Sequence, residues 1–513
     1  MADLQYDVCI IGAGAAGAYL AKRLLHERPQ LNVLIVDAGP SIPVGMDEVA
    51  FSCEQHGDTP YRAPQEGRFF GRGGTTSAWG ASLVPYSRKD FDVEDTLSSE
   101  WKSIVQDLDL SAVSTLKHLG FEGSDLLRQS FEVSEKIRRH PLNQINQIEL
   151  QRNIYLPFTK KNFAWMLDEL ANVSGAQVML DSVVTKLNLE GHTDNPSKSV
   201  NSIIIQNKNG DHHSITARAV LICQGAIETT RTLLEIAHQQ GDDYFQWKDL
   251  VGNGLSDHIS FPVANYNSDS TQKIAQVLAP SFVEGSITGT RMVPMSKDLP
   301  RSFAHVVFKQ NGAAFTMARE MMYSIQSRKL PNIDVSTMGR SVIGLARFAK
   351  KRLLDGVLCI EKGSTASLQY DFETPRSPLR RIELSEARDA YGKRKPSIHW
   401  SLSDIDLRSV LQRLGNVRQQ FQHSLDVDCV DSLSDGEIAL DNPYDVYHPC
   451  GTTPTGSRPS QGVLEDDLSV HQIANLWACS TAVLPSAGTA NPTFSLLCLL
   501  EHRTIPSILR KLA

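Results

Sequence analysis

The sequence lacks the features that mark several large classes of protein. No two of its eight cysteines have C-x-x-C spacing, and most lie inside apolar runs, which argues against a disulfide framework and against a local metal site. No apolar run approaches the length of about 18 residues that a membrane-spanning helix needs. Repeats and low-complexity tracts are also missing. We therefore expect buried thiols, no metal and no membrane span.

An excess of positive charge is also missing. The chain has 51 Lys and Arg against 58 Asp and Glu, a net charge of −7, whereas a nucleic-acid-binding protein usually needs a basic face. With 41% hydrophobic and 21% charged residues, the composition is that of a globular protein. Its 513 residues exceed the size of one ordinary core and predict two domains. Because no signal peptide precedes the first apolar run, we expect a cytoplasmic location.

The first 40 residues predict a strand, a helix and a second strand. Residues 6–11 read YDVCII, the next six read GAGAAG, a stretch of helical spacing follows, and residues 31–37 read LNVLIVD. A unit of this kind requires a parallel sheet. Gly12, Gly14 and Gly17 form G-x-G-x-x-G at the turn, where the helix N-terminus can bind a pyrophosphate. Asp37 ends the second strand and is placed to bind a ribose, so the pattern predicts a dinucleotide, either FAD or NAD.

In the rest of the chain, the pattern of apolar and polar residues changes several times. Residues 98–140 look mostly helical, whereas 178–188 and 200–206 alternate like antiparallel strands. Between about 265 and 435, strand-like and helical stretches alternate in a mixed α+β pattern. From 436 onward we expect loops, a strand over 476–480 and a long helix from Pro492.

Five motifs are specific enough to indicate a family. They are GRGGTTSAWGASLVPYSRKDF (71–91), ARAVLICQGAIETTRTLL (217–234), GNGLSDHIS (252–260), HPCGTTPTG (448–456) and NLWACSTAVLPSAGTANPTFSLLCLLEHR (475–503). In this order the chain resembles the glucose–methanol–choline (GMC) family of flavin oxidoreductases, within it most closely the pyranose oxidase-like branch that acts on sugars and glycosides. The middle of the chain resembles the family only in its alternation of strand-like and helical stretches.

This resemblance implies an α/β Rossmann-type FAD-binding domain with a second, α+β substrate-binding domain of the p-hydroxybenzoate-hydroxylase type. We expect the FAD domain to be discontinuous, built from residues 1–95, 165–265 and 436–513. The substrate domain is expected over 266–435, and a helical insert over 96–164.

The resemblance also implies a set of cofactor-binding residues. They are Gly12, Gly14, Ala15, Ala16, Gly17, Asp37, Ala38, Arg72, Gly73, Gly74, Thr75, Ser77, Ala78, Trp79, Gly80, Val184, Gly225, Ser480, Asn491, Pro492 and Thr493. Members with covalently attached flavin often carry a histidine just before the loop tryptophan. Because Ala78 stands there, we expect non-covalent FAD.

His448 and Asn491 are the candidate catalytic residues. Alcohol oxidation needs a base for the hydroxyl proton, and histidine suits that task because its pKa lies near working pH. By resemblance, Asn491 fills the position where the family has His or Asn, and its amide can hydrogen-bond the substrate oxygen.

The expected function is oxidation of an alcohol, with a sugar, glycoside or polyol as the favoured substrate class, to a ketone or aldehyde by hydride transfer to FAD. Oxygen or another acceptor would take the electrons. Three alternatives remain open: a non-redox lyase on the same fold, oxidation of a non-sugar secondary-metabolite alcohol, and a dinucleotide-binding protein that uses NAD or binds flavin without turnover.

Overall fold

The computed structural model describes residues 4–86, 99–121, 140, 142, 148–191, 197–241, 244–283, 286–294, 300–327, 335–432 and 444–513. The strands are β1 Leu4–Ile11, β2 Val33–Val36, β3 Glu54–His56, β4 Ser82–Leu83, β5 Ile148–Tyr155, β6 Ala176–Met179, β7 Ser182–Gly191, β8 Lys198–Asn207, β9 His212–Ile222, β10 His258–Tyr266, β11 Ser281–Val283, β12 Ser286–Pro294, β13 Ser302–Lys309, β14 Thr365–Glu373, β15 Arg381–Arg388, β16 Arg394–His399, β17 Asp431–Ser432, β18 Tyr444–Asp445 and β19 Leu476–Ala478. The α-helices are α1 Ala15–Glu27, α2 Ala63–Glu66, α3 Ser99–His118, α4 Ala164–Leu170, α5 Gly225–Gln239, α6 Ser268–Leu278, α7 Ala313–Ser327, α8 Val335–Lys350, α9 Asp404–Leu425, α10 Pro492–Leu499 and α11 Ile505–Lys511.

The first sheet has the order β6–β2–β1–β9–β8–β7, with β19 also paired to β9. Strands β6, β2, β1, β9 and β19 are parallel, and β7 and β8 continue the sheet in antiparallel fashion. The expected strand–helix–strand unit is confirmed as β1, α1 and β2. Its apolar side chains, such as Val8 on β1 and Leu24 on α1, are fully buried, and burying them is what holds helix to sheet.

The second sheet is antiparallel throughout. Its order is β17–β10–β14–β13–β12–β5–β4, with β11 beside β12 and β18 beside β10. A third, small sheet joins β15, β16 and β3. The described chain is thus mixed α/β, and no helix in this part is long and apolar enough to cross a membrane.

Two distant segments meet where the chain enters the second sheet. Ser256 and Cys450 exchange backbone hydrogen bonds of 3.0 and 2.9 Å, just before β10 begins and just after β18 ends. Because these bonds hold the two segments side by side, the residues around 257 and 448 lie next to each other.

Two expectations are wrong in detail. Residues 148–155, placed in a helical insert, form β5 of the antiparallel sheet. Their sequence IELQRNIY alternates apolar and polar side chains, a period of two that fits a strand.

The stretch 178–188 is not one strand, because Asp181 has a φ of 50° and turns the chain between β6 and β7. The helix expected from Pro492 is confirmed as α10, with Pro at its first turn.

Candidate active site

The turn between β1 and α1 depends on two glycines for packing. Gly12 has a φ of 113°, and a Cβ there would overlap the carbonyl oxygen of Cys223, the residue after the neighbouring strand β9. A Cβ at Gly17 would overlap the carbonyl oxygen of Gly12. Both glycines therefore allow close approach of backbone segments, as expected for the first and third glycines of such a turn.

Gly14 differs from the other two glycines because a Cβ there would meet no atom within 4 Å. It is the N-cap of α1, has no side chain to bond the free N–H groups, and is followed by a first turn without an acidic residue. The amino end of α1 therefore offers free N–H donors and a partial positive charge. This arrangement suits an anionic group such as a diphosphate.

Asp37 holds three loops together through its carboxylate. Oδ2 accepts the N–H of Ala13 at 2.7 Å, and Oδ1 accepts the N–H groups of Gly39 at 2.9 Å and Gly71 at 2.6 Å. Burial raises the pKa of Asp37 to about 6, against the opposing effect of the three donors. The ribose contact expected of Asp37 thus stays a prediction, whereas its bonds to the protein are present already.

We expect Asp37→Asn to destabilise the protein without its cofactor. The amide would turn an NH₂ group toward a backbone donor, and a lost bond to a buried group of this kind costs about 1–3 kcal/mol of unfolding free energy. Thermal denaturation of the apoprotein at pH 7.5 measures the loss. Asp47→Asn, at an exposed site, is the control, and equal melting temperatures for the two variants would contradict a structural role for Asp37.

A cavity of about 1220 Å³, counted with its open mouth, lies beside the amino end of α1. Thirteen of the expected cofactor-binding residues line it: Gly12, Gly14, Ala15, Ala16, Asp37, Ala38, Gly74, Thr75, Trp79, Val184, Gly225, Ser480 and Thr493. They lie just after β1 and β2, at the start of α1, in the loop of residues 71–80, on β7, at the start of α5, after β19 and on α10. The cavity thus draws on three segments that are far apart in sequence.

The other expected cofactor-binding residues do not line this cavity. They are Gly17, Arg72, Gly73, Ser77, Ala78, Gly80, Asn491 and Pro492. Arg72 instead pairs with Asp168 at 2.5 Å, and the Ser77 hydroxyl donates to the carbonyl of Gly74 at 2.8 Å. Gly73 donates its N–H to the carbonyl of Ala13 at 3.0 Å. The last of these contacts holds the loop of residues 71–80 against the β1–α1 turn.

Two charged residues that the sequence did not single out, Arg68 and Glu228, line the same cavity. Arg68 donates to one carboxylate oxygen of Glu228 at 2.9 Å, and Arg231, outside the cavity lining, donates to the other oxygen at 3.1 Å. The side chain of Glu228 is fully buried, and the two guanidinium groups lower its pKa against the effect of burial. No local motif marks this ion pair, because its members are 160 residues apart.

His448 belongs to a buried polar cluster centred on Asp257. Oδ1 of Asp257 accepts the backbone N–H groups of His258 and His448, both at 2.7 Å, and Oδ2 accepts the Tyr61 hydroxyl at 3.0 Å. Burial and the nearby Asp445 raise the pKa of Asp257. One carboxylate therefore holds two histidines from distant segments in a common site.

The imidazole rings of His258 and His448 are in direct contact. Their Nδ1 atoms are 3.1 Å apart, and Nε2 of His258 lies 2.7 Å from the carbonyl oxygen of Gly488. Burial, and secondarily His258, lower the pKa of His448 to about 3. The pKa of His448 thus lies below the working range expected from the sequence for a histidine base. His448 is neutral near pH 7 and has a lone pair that can accept a proton.

Asn491 is the N-cap of α10 and lies three residues after Gly488. Its N–H donates to the carbonyl of Val84 at 2.8 Å. Its side-chain Oδ1 is buried and has no hydrogen-bond partner in the described part of the chain. A buried acceptor without a partner is costly, so its presence suggests a ligand donor at this point. The sequence neighbours of His448 and Asn491 line the cavity: Tyr447 and Pro449 next to His448, and Thr493 two residues after Asn491.

No group of three or more His, Cys, Asp or Glu among the described residues could hold a metal ion. The site combines the N-terminus of α1, which suits a diphosphate, with the adjoining cavity, the neutral His448 and the unpartnered Oδ1 of Asn491. These parts suit a dinucleotide cofactor and chemistry that removes a proton from a small molecule.

Comparison with known proteins gives two family matches. Residues 375–499 match the family described as GMC oxidoreductase. Residues 7–66, which contain β1, α1 and β2, match the family described as lycopene cyclase protein. Pyridoxine 4-oxidase of Microbacterium luteolum is 45% identical over 80 residues, which are 15% of this chain and 15% of that protein. The sequence match thus spans a small part of the curated relative.

Solved structures resemble the whole chain. A pyridoxine 4-oxidase from Mesorbium loti has a TM-score of 0.55 at 15% identity, covering 98% of this chain and 99% of that one. A formate oxidase has a TM-score of 0.58 at 13% identity, covering 99% of both chains. A formate oxidase of Aspergillus oryzae RIB40, whose structure concerns FAD modification, has a TM-score of 0.58 at 15% identity, also with 99% coverage of both chains. At such identities the likeness shows the fold.

Proposed function

We propose that the chain is a GMC oxidoreductase, the family that residues 375–499 match, and that it binds FAD non-covalently and oxidises an alcohol to an aldehyde or ketone. The observation that carries the proposal is a line of contacts from His448 to His258 and from His258 to Gly488, with the residues on both sides of His448 lining a cavity that begins at the α1 N-terminus. A base and a dinucleotide-binding loop are brought together from opposite ends of the chain.

The residues present fit FAD. The free N–H groups at the start of α1 would hold the pyrophosphate, and the open space at Gly14 would let it approach. Asp37 lines the cavity and keeps acceptor capacity on Oδ2 for a ribose hydroxyl. Thr493 and Leu496, on the first turns of α10, line the cavity as well. With Ala78 in place of a tethering histidine, these contacts would carry the binding energy.

The chain's own residues supply the proton chemistry. Bound FAD supplies the acceptor for the hydride. His448, which is neutral near pH 7, takes the hydroxyl proton of the alcohol. Asn491, whose buried Oδ1 has no partner among the described residues, would donate from its side-chain NH₂ group to the substrate oxygen and so fix the alcohol carbon in place.

The substrate class we favour is a sugar, glycoside or polyol, on the likeness of the Trp79 loop and the His448–Asn491 tail to the sugar-oxidising branch. A second candidate is a hydroxymethyl group on an aromatic ring, since the segment of 45% identity belongs to a pyridoxine 4-oxidase. Lyase chemistry on the same fold is the alternative without net redox change.

The test is an anaerobic screen for bleaching of the flavin absorbance. The purified protein should be yellow and should bleach with at least one member of a panel of sugars, glycosides, polyols and pyridoxine. A colourless protein that takes up no added FAD would refute the cofactor proposal. A yellow protein that binds a panel alcohol but bleaches with none, and instead cleaves a cyanohydrin, would establish the lyase alternative.

A further inference from the structure

Two imidazole rings stand in series behind the proposed base. The carbonyl oxygen of Gly488 lies 2.7 Å from Nε2 of His258, and Nδ1 of His258 lies 3.1 Å from Nδ1 of His448. His258 itself is fully buried at the start of β10, with its ring edge-on to Phe303 at 5.6 Å. The order along this line is carbonyl, His258, His448.

The carbonyl decides where His258 carries its proton. A carbonyl oxygen accepts hydrogen bonds and never donates, so Nε2 of His258 must be the protonated nitrogen. In a neutral ring the other nitrogen, Nδ1, then has a lone pair and must accept. The contact between the two Nδ1 atoms therefore requires a proton on Nδ1 of His448.

The neutral state of His258 follows from its surroundings. The charged and titratable groups that act on it are Arg291, Asp371, Glu373 and His448. The two carboxylates already have cationic or titratable partners, since Glu373 accepts from Arg301 at 2.5 Å and Asp371 lies 2.9 Å from His305. Burial lowers the pKa of His258, and Arg291 adds to that effect.

We propose that His258 is a positioning residue that fixes the tautomer of His448, so that Nε2 of His448 is the atom that takes the substrate proton. This inference rests on the proposed alcohol oxidation. The alcohol loses its O–H proton to Nε2 of His448, which becomes an imidazolium, and loses the C–H hydrogen with its electron pair to FAD. The carbon–oxygen double bond forms from the O–H electrons.

The same line of contacts explains why His258 must stay neutral. A protonated His258 would donate from both nitrogens, so Nδ1 of His448 would have to accept. The proton of neutral His448 would then lie on Nε2, and the base would be lost although His448 itself is uncharged. The burial of His258 thus protects the active tautomer.

Two substitutions separate positioning from packing. In His258→Phe the ring remains but no nitrogen accepts from His448, and we expect anaerobic flavin reduction to slow by roughly 10- to 100-fold, as for the loss of partners that orient reactive histidines. In His258→Gln the amide oxygen can accept from His448 and the NH₂ group can donate to Gly488. This variant should stay within about fivefold of the wild type.

The pH profile is the second readout. His258 lowers the pKa of His448, so its removal should raise that pKa. The acid limb of flavin reduction should therefore move to higher pH in both variants. Phe261→Leu is the control, because Phe261 lies on the same strand with its side chain on the opposite face, stacked on Phe372. It should lower the melting temperature and leave the acid limb in place.

The possible results are distinct. Equal loss of rate in His258→Phe and His258→Gln, with an unmoved acid limb, would show that His258 only packs and would overturn the inference. A rate in His258→Phe equal to that of the wild type would also overturn it. If no alcohol reduces the wild-type flavin, the proposed function fails instead, since that result does not involve His258.

Discussion

Replacing His448 with alanine is expected to leave FAD bound and to slow flavin reduction by roughly 100- to 10,000-fold, the usual contribution of a positioned general base. The physical reason is that His448 supplies the acceptor for the hydroxyl proton, while the cavity that would hold the cofactor is lined by its neighbours Tyr447 and Pro449. Anaerobic stopped-flow absorbance measures the rate, and the flavin spectrum of the resting variant reports cofactor content.

The pH dependence of the wild type gives an independent check. Because burial and His258 lower the pKa of His448 to about 3, the base is almost entirely unprotonated once the pH is well above that value. The reduction rate should therefore be flat between pH 5 and 8 and should fall only as the pH approaches that value.

A matched control is His213→Ala, at an exposed position on β9 away from the cavity. It should reduce its flavin at the wild-type rate. Wild-type kinetics in His448→Ala would remove His448 from the mechanism, and an acid limb near pH 6.5 would mean that its surroundings do not suppress protonation.

The second large effect is expected from Gly14→Asp, which should weaken FAD binding strongly while leaving the fold intact. Gly14 has ordinary backbone angles and open space around its missing Cβ. A carboxylate there would face the pyrophosphate, and two like charges about 4 Å apart at a protein surface repel by about 4 kcal/mol, equivalent to roughly 100- to 1,000-fold in affinity.

Although Gly14→Asp should weaken FAD binding, it should not lower the stability of the apoprotein. Aspartate is a better N-cap than glycine, and its charge is favourable at a helix N-terminus, so the free energy of unfolding should stay equal or rise by about a few tenths of a kcal/mol. Titration of apoprotein with FAD and thermal denaturation measure the two effects. Gly191→Ala, at the exposed end of β7, should change neither quantity. Unchanged FAD affinity in Gly14→Asp would place the pyrophosphate elsewhere.

Several local features could be predicted from the sequence because their causes are local. The close packing at Gly12 and Gly17 follows from residue spacing, and so does the start of α10 at Pro492. The tail motifs indicated the family, and residues 375–499, which contain most of those motifs, match the GMC oxidoreductase model. The strand β5 was missed for another reason. Its neighbours in sequence look helical, while its partners β12 and β4 lie far along the chain.

The site itself shows the same division. The flanking motif identified His448 as a candidate base, but nothing near it in sequence predicts that His258, 190 residues away, contacts its Nδ1. The Arg68–Glu228 pair in the cavity is a second case. Such contacts depend on how the two sheets come together, which no local pattern describes.

By itself, then, the sequence determined the Gly-rich strand–turn–helix, the position of α10, and His448 and Asn491 as candidate catalytic residues. These features depend on residue type and spacing among residues that lie close together in sequence. Tertiary structure alone decided that Asp37 bonds three loops and that Asp257 holds two histidines side by side. It also decided the pKa of His448, since burial and neighbouring charges exist only after distant segments pack together.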